Sequence, residues 1–241
     1  FVAEATTLAE RLPAAGQAIN LCQDRYHFAV SLAAAMLRGH TSLLPPNALP
    51  QTLRQLGVGG AAPYAMLDDD AFDTGALPRW RITSTPGPVP ATRAAKLPAA
   101  LRAACLLTSG STGVPQPQFK RWGQLHLNIA AEAARLAELL QRPSLDGLNL
   151  VATVPPQHSY GFESSVLLAM LGGAAFDAGR PFYPADIAEA LARLPRPRGL
   201  ITTPFPLKAL LLAGLALPEV GLVLSATAPL SPQLAQMAEQ Q

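Results

Sequence analysis

From Ala103 onward the sequence alternates short apolar runs with amphipathic stretches, and this alternation restricts the architecture more than any other feature. Ala103–Leu107, Leu148–Val154, Ala174–Phe176, Leu200–Thr203 and Gly221–Ser225 read as strands. Gln118–Trp122 reads as a return strand. Between them lie helical segments. Leu125, Ile129, Leu136 and Leu140 recur at helical spacing, and Phe162–Leu171 is an apolar helix closed by Gly172-Gly173. Pro184–Leu194 carries Asp186 in its first turn, Pro206–Ala213 is short and apolar, and Ser231–Glu239 has Pro232 at its first position. Buried strands alternating with helices predict an α/β fold: doubly wound, with mainly parallel sheets covered by helices on both faces.

The first hundred residues follow the same rule less cleanly. Helices are expected at Val2–Leu12, Asp24–Arg38 and Ala48–Leu56, and strands at Ala18–Cys22, Thr41–Leu44 and Tyr64–Leu67. Thr83–Pro98, rich in Pro, Thr and Gly, reads as a connection between lobes. Two lobes are therefore expected, residues 1–98 and 99–241. Proline is frequent, 24 in 241 residues, yet 49% of the chain is hydrophobic, so the prolines mark short elements joined by tight loops rather than disorder.

The charge balance excludes some function classes. Net charge is +2 and the basic residues are scattered, which argues against a nucleic-acid surface. The longest apolar stretches, Val166–Phe176 and Ala209–Leu217, fall short of the roughly 20 residues that span a bilayer. Cys22 and Cys105 lie in apolar runs and read as buried free thiols of a reducing compartment, so a cytoplasmic location is expected. His27, His40 and His126 have no metal-ligand spacing, and no metal-binding residue is assigned. Gly57-Val58-Gly59-Gly60-Ala61-Ala62 follows a helix-like stretch and runs into Pro63, so it reads as a helix end and turn rather than a dinucleotide loop. Asp68-Asp69-Asp70 reads as a solvated turn or helix cap. The chain begins at Phe1 and ends on Gln240-Gln241 in mid-helix pattern, which suggests part of something longer.

Chemistry concentrates in three segments. The first is Thr108-Ser109-Gly110-Ser111-Thr112-Gly113, directly after a buried strand. Such a loop offers backbone N–H groups unobstructed by side chains, together with four hydroxyls, which suits the oxygens of a polyphosphate. It is not a Walker loop, because no G-K-[ST] follows and the next segment reads as a strand. The second is Pro155-Pro156-Gln157-His158-Ser159-Tyr160-Gly161, followed by Leu168, Leu171 and Gly172-Gly173. The third is Thr202-Thr203-Pro204 with Ser225-Ala226-Thr227-Ala228-Pro229-Leu230 downstream.

Together these resemble the adenylate-forming ligases, the superfamily of acyl-CoA synthetases, aryl-acid ligases, peptide-synthetase adenylation domains and luciferases. Thr108 to Gly113 and Pro115 match that family's T-S-G-[ST]-T-G-x-P-K-G pattern, while Gln116-Pro117 replace Lys-Gly and Lys120 and Arg121 follow closely. The His158 segment resembles P-x-x-H-x-x-G…L-x-x-G-G, and the third segment resembles S-G-G-A-P-L with Ala226-Thr227 in place of Gly-Gly. Asn20-Leu21-Cys22…Arg25…Phe28…Leu37-Arg38-Gly39…Leu43-Leu44-Pro45-Pro46 is reminiscent of the short ligases of aryl-polyene and xanthomonadin-type pigment synthesis.

The resemblance implies ATP-dependent activation of a carboxylic acid, aryl or fatty, to an acyl-AMP. The acyl group then passes to the thiol of CoA or of a phosphopantetheine on an acyl carrier protein. Thr108, Ser109, Gly110, Ser111, Thr112 and Gly113 would hold the ATP phosphates. His158, the candidate catalytic residue, and Gly161, Ser225, Ala226, Thr227, Ala228 and Pro229 would border the acyl and adenylate groups. The family's metal-binding Glu and C-terminal Lys have no counterpart in these residues, so the Mg2+ ligand is expected elsewhere and this stretch alone is expected to be inactive. The alternative is a non-catalytic acyl- or nucleotide-binding, partner-docking module derived from the same fold.

Overall fold

The computed structural model of the chain describes residues 1–14, 16–54, 56, 62–83, 96–109 and 115–241. The chain divides into two compact units, Phe1–His126 and Leu127–Gln241.

In the first unit, α1 (Val2–Arg11), β1 (Gln17–Asn20), α2 (Arg25–Leu37), β2 (Thr41–Leu44), α3 (Pro50–Arg54), β3 (Pro63–Leu67), β4 (Arg79–Arg81), β5 (Arg102–Ser109) and β6 (Pro115–Arg121) build a six-stranded sheet of order β4-β3-β1-β2-β5-β6. All neighbours are parallel except the β5–β6 pair. Register places Cys105, Leu43, Ile19 and Ala65 in one row across four strands. That row packs with Leu53 of α3 and Leu56, while Asn20, on the opposite face, donates its side-chain amide to Phe28 O of α2 at 3.0 Å. Helices therefore lie on both faces, as expected when the chain leaves β1 one way and returns past it the other way with right-handed crossovers. Asp24 caps α2 by accepting from His27 N–H at 2.9 Å.

The second unit takes up β7 (Asn149–Ala152), β8 (Ala175–Phe176), β9 (Arg198–Thr202) and β10 (Leu222–Ser225), all parallel, in the order β10-β9-β7-β8. α7 (Pro184–Arg193), α8 (Pro204–Leu212) and α9 (Pro232–Glu239) cover one face. Ile187, Leu191, Leu207, Leu210 and Leu234 pack there with Val151 and Leu200. The other face, Leu150, Ala152 and Ile201, is equally buried. α4 (Trp122–Leu139) carries the boundary between the units.

Three expectations change. The boundary does not fall at residue 98, because β5 pairs with β2 and so belongs to the first sheet. Thr83–Pro98, of which residues 84–95 lie outside the described part, is thus a connection within the first unit. β4 has no apolar run to announce it; it is fixed by parallel pairing with β3 and by Trp80, whose ring stands 5.0 Å from Tyr64 and whose Nε1–H donates to Arg11 O. Finally, Phe162–Leu171 is not one regular helix. A single turn, α5 (Ser159–Gly161), runs into a π-helical stretch, Phe162–Leu167, and then α6 (Leu168–Gly172), which Gly173 ends at φ 90°.

Candidate functional site

In the four-stranded sheet, the connection from β7 leads to β8 on one side and the connection from β9 leads to β10 on the other. The C-terminal ends of β7 and β9 are therefore the topological switch point, the place where open α/β sheets bind ligands. The second and third sequence segments both emerge at this edge. Thr153 and Thr202 leave the two strands side by side, their hydroxyls 2.9 Å apart and both buried. The Tyr160 hydroxyl reaches past β9 to donate to Leu224 O on β10 at 2.6 Å, joining the His158 loop to the start of Ser225–Pro229. Ala226 N–H donates to Thr202 O at 3.4 Å.

The His158 loop turns sharply. His158 N–H donates to Pro155 O at 3.2 Å, and Phe162 N–H donates to His158 O at 2.7 Å. Gly161 has an ordinary helical φ of −64°, so its need for glycine is steric: a Cβ there would lie 2.1 Å from Pro155 O. The Ser165 hydroxyl donates to Gly161 O, the carbonyl that an α-helix would reserve for the backbone N–H of residue 165. The helix widens at this point, and Leu168 N–H donates to Glu163 O, five residues back.

His158 itself is exposed. Partial burial of the ring lowers its pKa from the ordinary 6.5, and the positive charge of Arg180 lowers it further, so the imidazole is neutral at neutral pH. A neutral imidazole offers one donor and one acceptor. Tyr160 is held in its phenol form by burial and then by the Glu132 carboxylate, which suits a structural donor. Glu132 has its own pKa raised, first by burial and further by Glu163, against a lowering hydrogen bond with Ser164.

At the third segment, the Ser225 hydroxyl is buried without a hydrogen-bond partner among the described residues. Thr227 adopts φ 74°, a left-handed conformation that a β-branched residue rarely takes. It occupies the position of the second glycine in the S-G-G-A-P-L pattern, which explains why that pattern favours glycine there. Ala228 and Pro229 are exposed on the same turn.

In the first unit, β5 carries Thr108 and Ser109 to its end, and Ser109 lies opposite Pro115 in the antiparallel β6. Gly110, Ser111, Thr112 and Gly113 lie outside the described residues, as do residues 57–61 of the glycine-rich stretch before Pro63. Gln116 and Pro117 stand on β6 opposite Thr108 and Leu107, so the segment after the loop is a strand. Pro117 is tolerated because β6 is an edge strand.

The remaining candidates are structural. Asp68 accepts from Gln23 N–H at 2.8 Å and Asp24 N–H at 2.9 Å, which fixes the loop between β1 and α2, and Asp70 pairs with Arg79 and Arg81. Both cysteines are buried free thiols; burial raises both pKa values, that of Cys105 to about 11, so neither is a nucleophile. Among the described residues no group of three or more His, Cys, Asp or Glu side chains could hold a metal ion, so no Mg2+ site is assigned to them. No helix of the described residues is long and apolar enough to cross a membrane. Thr153 carried no sequence signal of its own, because only strand order sets it beside Thr202.

These features define a doubly wound α/β chain with a ligand-type edge in its second sheet. Comparison with solved structures gives the particular fold. The o-succinylbenzoate coenzyme A synthetase (MenE) of Bacillus subtilis, in complex with AMP, superposes with a TM-score of 0.73 at 16% identity, covering 99% of this chain and 62% of that one. ATP-bound MatB from Rhodopseudomonas palustris gives 0.73 at 18% identity, covering 100% of this chain and 51% of that one. A malonyl-CoA ligase with methylmalonyl-CoA and AMP bound gives 0.69 at 20% identity over 98% and 51%. The chain has the fold of the N-terminal part of adenylate-forming ligases and spans about half to three-fifths of these enzymes' length. No protein-family profile matches the sequence, and no curated protein matches it.

Proposed function

We propose that the protein carrying this chain is an AMP-forming acid–thiol ligase. The observation that carries this reading is the fold likeness over nearly the whole chain to ligases holding ATP or AMP. In the first step an oxygen of the acid's carboxylate attacks the α-phosphorus of ATP, the bond to the bridging oxygen breaks, and pyrophosphate leaves. In the second step a thiolate attacks the acyl carbon and AMP leaves. The acceptor is CoA or a carrier-protein phosphopantetheine, and the reaction is cytoplasmic.

Both partners of the first step are anions, so catalysis consists chiefly of holding them together and neutralising charge. Thr108, Ser109, Gly110, Ser111, Thr112 and Gly113 hold the β- and γ-phosphates through N–H groups and hydroxyls. His158 orients the acid by donating one N–H. General-base chemistry is not needed, because a carboxylate is already ionised at neutral pH. Gly161 keeps the His158 loop close, and Ser225, Ala226, Thr227, Ala228 and Pro229 line the adenylate.

The test is ATP–pyrophosphate exchange by the whole protein against a panel of aryl and aliphatic acids. Acid-dependent exchange is expected, with the KM for the acid raised more than that for ATP by His158→Ala. Nucleotide binding with no exchange under any acid would support the non-catalytic module instead. The 241 residues alone are expected to give no exchange.

A further inference from the structure

The helix after the His158 loop is π-wound over Phe162–Leu167, a winding that its apolar sequence does not require. Phe162, Ser164, Val166 and Leu167 are all buried, so the stretch is packed on every side and its winding is set from within. Ser165 is fully enclosed, and its hydroxyl donates to Gly161 O. A buried hydroxyl keeps such a bond because leaving it unmade costs the desolvation of the group. Gly161 stands against Pro155, so close that a Cβ there would lie 2.1 Å from Pro155 O. Pro155 O in turn accepts from His158 N–H at 3.2 Å, and His158 O accepts from Phe162 N–H at 2.7 Å. Tyr160, within the same turn, donates to Leu224 O at 2.6 Å. A continuous chain of contacts thus runs from Ser165 through Gly161 and Pro155 to His158.

We infer that Ser165 is the positioning residue for His158: by taking the Gly161 carbonyl it holds the turn π-wound, and that winding sets where the His158 loop stands. The inference rests on the acid-activating reading and adds to it a residue that acts through the loop. In an α-helix the carbonyl of residue 161 accepts from the backbone N–H of residue 165, and a serine side chain at that position competes for it. Without the hydroxyl the backbone bond closes and the turn loses one residue. The residues ahead of it then rotate by roughly 100°, the angle of one α-helical residue. Tyr160 and Gly161 lie in the rotated part, so the close approach to Pro155 O and the bond to Leu224 O are both lost. His158, bonded to Pro155 on one side and to Phe162 on the other, moves with them. π-helical turns are rare and concentrate at functional sites; the work of this one is to aim the loop.

The test compares the whole wild-type protein with Ser165→Ala, Ser165→Thr and Ser165→Val. Alanine removes the hydroxyl without adding volume. Threonine and valine add nearly the same volume, and only threonine keeps a hydroxyl able to reach the carbonyl four residues back. Crystal structures should show Phe162–Leu167 rewound as α-helix in the Ala and Val variants and π-wound in the Thr variant. The NMR signal of the His158 imidazole should shift in the first two and return in the third. In ATP–pyrophosphate exchange with the panel of aryl and aliphatic acids, Ala and Val should lower kcat/KM for the acid about tenfold or more while the KM for ATP stays within about twofold, the pattern of a misplaced acid. Thr should stay close to the wild type. An unchanged helix in the Ala variant, equal behaviour of Thr and Val, or a loss of stability with the acid constants untouched would overturn the inference. Should no acid of the panel support exchange with the wild type, the ligase reading is what fails. A Thr-rescued change of helix and imidazole signal then keeps Ser165 as the residue that positions His158, and no change removes it.

Discussion

Replacing Gly161 by alanine tests the geometry on which the His158 loop depends. The new Cβ would meet Pro155 O at 2.1 Å, Pro155 C at 2.9 Å and Val154 Cγ2 at 3.2 Å. Two of these contacts involve backbone, so no rotamer change relieves them; the loop or the helix must move. Restoring a tolerable contact requires a shift of close to 1 Å, a displacement that can cost about a hundredfold in rate when it misplaces a reacting group. Overpacking of this kind costs about 1–3 kcal/mol, and the lower chain entropy of alanine in the unfolded state recovers only about 0.4–1 kcal/mol. A net loss of about 1 kcal/mol should lower Tm by roughly 2–4 °C for a chain of this size. Gly214→Ala is the control: Gly214 has φ 65° and nothing within 4 Å of a new Cβ, so only backbone strain of about 1–2 kcal/mol applies. Both can be measured by thermal unfolding of the 241-residue chain. If Gly161→Ala melts within about 1 °C of the wild type, the close approach of Gly161 to Pro155 is wrong, and so is the account of how His158 is held.

Thr227→Gly should stabilise the chain by up to about 1–2 kcal/mol by removing left-handed strain, read as a higher urea midpoint with an unchanged m-value. Thr153→Val should cost about 0.5–1.5 kcal/mol because it leaves the buried Thr202 hydroxyl only its 3.4 Å bond to Thr203 O, whereas Thr153→Val with Thr202→Val should recover part of that loss; additive losses would contradict the pairing. In the NMR titration of the imidazole, His158 should protonate below the ordinary 6.5, and Arg180→Gln should move it upward; no movement would separate the two residues. His40, buried beside Tyr64 and close to the charge of Arg38, also has a lowered pKa, with burial the main cause. A histidine whose folded pKa is depressed contributes stability above its unfolded pKa and loses it as pH falls through that value toward the folded one. Stability should therefore rise from about pH 5 to pH 7, and His40→Gln should flatten the rise.

The sequence revealed those parts of the fold whose cause is local, and hid those whose cause is pairing across the sheet. Val151 and Leu200 announce strands because both sheet faces are buried, and Pro184 and Pro232 mark helix starts because proline fixes φ and lacks the donor a first turn cannot use; the helix expected from Pro206 begins one half-turn earlier, at Pro204. Arg79-Trp80-Arg81 shows no such pattern, since an edge strand needs only its neighbour β3. The Pro-, Thr- and Gly-rich composition of Thr83–Pro98 suggests a boundary between lobes, but composition cannot reveal that β5 returns to pair with β2. The π-helical stretch was hidden because its cause is a side chain, the Ser165 hydroxyl, taking the carbonyl of Gly161.

The candidate site divides along the same line. His158, Gly161 and Ser225 through Pro229 stood out because tight turns at a sheet edge require particular residue types in a fixed order. Thr153 did not, and the part played by Tyr160 within its segment was hidden, since each acts through a partner from another strand, Thr202 and Leu224. Motifs thus identify where chain and ligand can come close, and the choice of ligand rests on residues that the topology gathers around them.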